Sequence, residues 1–185
     1  MAARNPHEVL RRIVDHDSIH LQSAVAPWLL EQCLLLDAER VFVRTATRIA
    51  YRASLGSEPG AAARAAWYYE RLDEAVGDCL RQDEARLARS EFSREIFEEH
   101  AQFHWTFFVP EEAVLRAAVR FNGLPRLTRK SFFALLIERR SVDECVRAGL
   151  GPPERLRSRV LAALNAATGS DDEGETGLRR AVREG

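Results

Sequence analysis

Apolar residues recur every three to four positions along most of the chain, which is the period of an amphipathic helix, and no stretch sustains the alternation of a half-buried strand. Leu10, Ile13 and Val14 form a first stripe. Pro27 predicts an interruption, after which a restarted helix carries Leu29, Leu30, Cys33, Leu34 and Leu36. Asp37 predicts a cap for a helix that continues to about Ala53 with Val41 and Ile49 on its apolar face. The run from Leu55 to Gly60 reads as a loop. A long helix from Ala61 to about Arg89 follows, with Trp67, Leu72, Val76, Cys79 and Leu80 as its core positions.

Ser90 to Phe108 is the most aromatic stretch, with Phe92, Phe97, Phe103, Trp105, Phe107 and Phe108, and predicts a helix to about His104 and then an irregular connector. Pro110, Glu111 and Glu112 open a helix that ends at Asn122 and Gly123. The next helix runs from Leu127 to Ile137, capped by Thr128 or a neighbour. Ser141 caps a short helix holding Val142, Cys145 and Val146, and Gly149 to Pro153 makes a turn. Pro153 suits the first turn of a last helix, on which Leu156, Val160, Leu161 and Leu164 are expected to face inward. The expected fold is all-α. A helical domain over residues 8–90 and an aromatic linker over 91–110 precede a helix-turn-helix domain over 111–168 and a disordered acidic tail over 169–185, with Asp171, Asp172, Glu173 and Glu175.

Composition narrows this picture. At 46% hydrophobic and 30% charged, the 185-residue chain can bury a core. Three widely spaced cysteines, Cys33, Cys79 and Cys145, fit reduced core thiols and not a disulfide framework. The N-terminal residues carry no secretory signal pattern and no apolar run approaches a membrane span, so a cytoplasmic protein with no membrane partner is expected. A net charge of −1 gives the whole chain no bias toward nucleic acid. From Pro110 to Thr168, however, eleven basic residues stand against six acidic ones, a local charge of +5. Arg155, Arg157, Ser158 and Arg159 fall near the N-terminal end of the last helix, the end that enters the major groove in helix-turn-helix proteins. Arginine there can pair with guanine edges or phosphate.

Leu124-Pro-Arg-Leu-Thr-Arg-Lys130, Ser141-Val-Asp-Glu144 and Leu156-Arg-Ser-Arg159 together resemble the C-terminal DNA-binding domain of bacterial RNA polymerase sigma factors of the extracytoplasmic-function type, without a gap from Ser141 to Leu164. Asp37-Ala-Glu39 resembles the opening of that family's polymerase-binding helix, and Trp67 followed by Asp78-Cys-Leu-Arg81 resembles its promoter-melting helix. The resemblance implies a divergent sigma-like transcription regulator with promoter DNA, RNA polymerase core and an anti-sigma-like regulator as partners. It places Arg155, Arg157, Ser158 and Arg159 on DNA, Arg129, Lys130, Arg139 and Arg140 on phosphates, and Asp37 and Glu39 on polymerase. The chain departs from the family at Arg40, Val43 and Arg44, where acid and amide are usual, and at Leu72-Asp-Glu74, where the family has Ala-Arg-Asn. A sigma-like interaction module that does not read DNA is the alternative.

Other chemistry has thinner support. His100 and His104 share a helix face, as do His16 and His20, and two such pairs are low-ranked candidates for a metal site in a helical bundle. Without a His-Glu-x-x-His pattern the expectation is no metal. Trp67, Tyr68 and Tyr69 could stack on unpaired bases, but such a run more often enters a core. No phosphate loop, nucleophile elbow or dinucleotide fingerprint occurs, and neither a catalytic residue nor a cofactor is expected.

Overall fold

The computed structural model describes residues 5–16, 20–57, 59–89 and 111–169, and these are all-helical, without strands. The aromatic stretch over 90–110, the pair His100 and His104, and the acidic tail lie outside the described residues. The chain divides into two compact units, one comprising Met1–Glu31 and Leu36–Asp83, the other Gln32–Leu35 and Glu84–Gly185.

In the first unit, helices α1 (Pro6–His16) and α2 (Leu21–Glu31) pack on α3 (Ala38–Ser54), and α4 (Ala61–Arg89) follows. Ile13 is buried on α1, while Val14 is turned out to solvent. Pro27 does not divide a helix in two but lies inside α2. Its ring is exposed, whereas Leu21, Val25 and Leu29 are buried at four-residue spacing. The proline therefore removes one hydrogen bond on the solvent side, and apolar burial on the other side holds the helix together. The helix ends at Glu31, so Cys33, Leu34 and Leu36 lie in a connector and not in the expected helix. Asp37 caps α3 by accepting hydrogen bonds from the main-chain N–H groups of Glu39 and Arg40.

Polar residues on α3 and α4 meet in a ladder of ion pairs. Arg40 pairs with Asp83 at 2.8 Å and donates to the carbonyl of Cys79 at 3.1 Å. Arg44 donates to Gln82, and Arg48 pairs with Asp78 and with Glu74. The spacing explains the match, because residues four apart recur on one face of each helix. The Arg40 and Asp83 side chains are only 14% and 8% exposed, so each depends on the other for compensation of a buried charge. Burial opposes the charge on Arg40, but the hydrogen bond and charge of Asp83 outweigh it and raise the guanidinium above its ordinary value.

The second unit contains α5 (Glu111–Asn122), α6 (Arg126–Phe132), a π-helical turn (Phe133–Ile137), α7 (Val142–Arg147) and α8 (Pro153–Thr168). Helix α8 packs against α5, α6 and α7. One core cluster joins Phe121, Phe133 and Ala163 with Cys33, the last contributed by the connector that precedes α3. The second joins Ala134, Cys145, Leu150 and Leu156. Thr128 does not cap α6. It is buried, and the helix starts two residues earlier, after Pro125, without a side-chain cap.

Candidate nucleic-acid interface

The segment from Ser141 to Arg159 is built by local chemistry. Ser141 and Glu144 form a reciprocal capping box at the start of α7, with the Ser141 N–H donating to the Glu144 carboxylate at 2.7 Å and the Glu144 N–H donating to the Ser141 hydroxyl at 3.2 Å. Those contacts with the Ser141 main chain and hydroxyl hold the Glu144 carboxyl below its ordinary pKa. Helix α7 then ends in a turn that folds Leu150 inward. The Leu150 N–H donates to the Cys145 carbonyl at 3.0 Å, and its side chain is 3% exposed. Gly149 and Gly151 flank it with φ of 75° and 108°, backbone that residues with a Cβ rarely adopt.

Helix α8 starts at Pro153, after an extended Pro152 that offers no side-chain cap. Leu156 is buried and anchors the first turns to the second core cluster. Arg155, Arg157 and Ser158 are exposed, and Arg155 and Arg157 have no ion-pair partner among the described residues. At about 100° per residue, Arg155 and Arg157 flank the outward face on which Ser158 lies. Arg159 sits between the exposed and buried faces. Its guanidinium donates to the Leu150 carbonyl and so ties α8 to the turn. A side chain added at Gly151 would meet that guanidinium at 3.4 Å.

The inward face of α8 differs from the expected one. Leu156 is buried and Val160 half-buried, but Leu161 and Leu164 are 51% and 37% exposed, and Ala163 and Ala166 are buried in their place. Small residues on that face let α5 approach closely, with Phe121 seated on Ala163. Leucine-based periodicity overlooks this arrangement because it assigns alanine no side.

The remaining basic residues divide into two groups. Lys130, Arg139 and Arg140 are exposed; Arg140 pairs with Glu138 at 2.6 Å, and Arg139 has a φ of 55°. Arg129 is turned inward. It donates to the carbonyls of Asn122, Leu124 and Gln32, and its Nε is buried without a partner. Burial lowers its pKa, only partly offset by Cys33. Asn122, read from the sequence only as a helix end, pairs through its carboxamide with the main chain of Leu35. No local signal could reveal that contact, since the partners are 87 positions apart. Asp37 spends its carboxylate on the α3 cap, while Glu39 is exposed.

Among the described residues no group of three or more histidine, cysteine or acidic side chains could hold a metal ion, and no helix is long and apolar enough to cross a membrane. Burial raises the Cys33 and Cys145 thiols above their ordinary pKa, which disfavours the nucleophilic thiolate. No family model, curated protein or solved structure matches the chain.

Proposed function

We propose that the chain is a sigma-like transcription regulator that binds promoter duplex DNA through a helix-turn-helix formed by α7 and α8. One observation carries the reading. Arg155, Arg157 and Ser158 stand exposed on the first turns of a helix fixed by a glycine turn, within the segment that resembles sigma factors without a gap. Arg155 and Arg157 contact base edges or phosphate, Ser158 adds a hydrogen bond, and Lys130, Arg139 and Arg140 hold the backbone. Uncapped N–H groups at the start of α8 favour an anion at the same end. Arg129 and Arg159 act from behind, because their guanidinium groups are committed to carbonyls.

The test is fluorescence anisotropy on duplex DNA across a salt series. Arg155→Ala with Arg157→Ala is expected to weaken binding roughly 30-fold or more and to reduce the salt slope by about 2. Equal binding by this variant and the parent chain would remove the assignment.

A second reading, an interaction module that contacts polymerase core or an anti-sigma-like partner without reading DNA, draws on the same commitment of Arg129 and Arg159 to internal carbonyls. A pull-down with core polymerase, run beside the anisotropy measurement, separates the two. Retention of polymerase by a chain that ignores duplex DNA would favour the module.

A further inference from the structure

The second unit is not contiguous in sequence, since Gln32–Leu35 belongs to it. Three sets of contacts hold this segment. Cys33 is buried with Phe121, Phe133 and Ala163 of α8. The Leu35 N–H donates to Asn122 Oδ1, and Asn122 Nδ2 donates to the Leu35 carbonyl, each at 2.9 Å. Arg129 donates to the Gln32 carbonyl at 3.4 Å while holding two carbonyls of the α5–α6 corner. Cys33 takes a φ of 53°, a conformation that a residue with a Cβ keeps only where its surroundings enforce it.

We propose that Gln32–Leu35 is a strap whose seating fixes the packing of α8, so that DNA reading by α8 depends on the helices to which the strap is joined. The part concerning DNA rests on the function proposed above; the strap itself does not. Only six residues, 32–37, separate the end of α2 from the start of α3, which leaves little slack. A partner that draws on either helix pulls on the strap through the chain. Release would leave Ala163 and the two phenylalanines without one wall of their cluster and would take the Gln32 carbonyl from Arg129. Packed clusters respond to such a loss as a switch between two arrangements and not as a gradual deformation.

Hydrogen exchange on the full-length chain tests the proposal. Asn122→Ala removes both contacts with Leu35, and Asn122→Asp keeps only the acceptor. Exchange at Leu35 and over residues 160–166 is expected to speed up together by about tenfold or more in Asn122→Ala and by less in Asn122→Asp. DNA affinity falls in parallel with an unchanged salt slope, because the phosphate contacts are intact. Unchanged exchange at Leu35 would overturn the strap, and faster exchange at Leu35 with none over 160–166 would overturn its coupling to α8. Should the variants not fold, the parent chain in low urea decides: Leu35 and residues 160–166 must open in one step, and separate steps refute the coupling. A parent chain that binds no duplex defeats the proposed function, while the exchange data still decide the strap.

Discussion

Arginines on α3 and on α8 occupy contrasting surroundings. On α3, Arg40, Arg44 and Arg48 recur at four-residue spacing and face Asp83, Gln82, Asp78 and Glu74 of α4. On α8, Arg155 and Arg157 stand in solvent with no ion-pair partner among the described residues. The difference lies in what the neighbouring helix presents. Helix α4 repeats acid and amide in step with α3, whereas α8 is backed by the apolar and small residues of α5 and α6. Paired arginine contributes to the fold, and unpaired arginine is available to an external anion. The α3 and α4 positions that depart most from the sigma pattern, Arg40, Arg44 and Glu74, are members of the ladder.

The contrast breaks most sharply at Arg40. Arg40→Met leaves the Asp83 carboxylate buried without a counter-charge and is expected to cost about 3–5 kcal/mol in chemical denaturation. Arg40→Met combined with Asp83→Leu should regain most of that loss; a double variant no more stable than the single one would show that the pair is not self-contained. The next largest effect is at Arg159. Arg159→Ala frees the buried turn at Leu150 and should lower stability by about 1–2 kcal/mol, whereas Arg157→Ala should stay within about 0.5 kcal/mol. Equal melting temperatures for the two variants would erase the distinction drawn between them.

Smaller effects concern caps and acid. Ser141→Ala removes the hydroxyl from the α7 capping box and should cost about 1 kcal/mol, read from urea midpoints. Asp78 titrates below its ordinary range, chiefly because Arg48 hydrogen-bonds its carboxylate; burial opposes the shift and Arg81 adds to it. A carboxyl depressed in the folded state contributes stability that is fully present above its unfolded pKa of about 3.9 and is lost as pH falls through the lower folded value. Urea midpoints of Arg48→Gln and the parent chain are therefore expected to differ above about pH 4 and to converge in stronger acid. A constant gap down to the most acid condition would mean that Arg48 acts through packing alone.

Much of the helical framework was legible because hydrophobic period and end signals agree. Asp37, Ser141, Pro153 and the Asn122–Gly123 boundary all act where the sequence places them. The failures have physical causes. Pro27 is tolerated because burial on one face of α2 outweighs a missing hydrogen bond on the other. Arg129 and Arg159 look identical in sequence to Arg155 and Arg157, and only the carbonyls within their reach assign them inward. The capture of Leu35 by Asn122 is a long-range contact between a connector and a helix end, neither of which carries periodicity.

The π-helical turn at Phe133–Ile137 has a consequence for how this chain tolerates insertions and deletions. It is closed by a bond from the Glu138 N–H to the Phe133 carbonyl at 2.8 Å, one residue wider than an α-turn. Loss of a single residue there would restore ordinary winding and rotate everything beyond it by about 100° about the helix axis. Arg139 and Arg140 would swing away from their present face, and the Ala134 carbonyl would lose the Arg140 N–H that now reaches it at 2.9 Å. The spare residue in that turn therefore sets the aim of the basic corner, and a one-codon deletion at this point should be far more damaging than one in a loop of equal exposure.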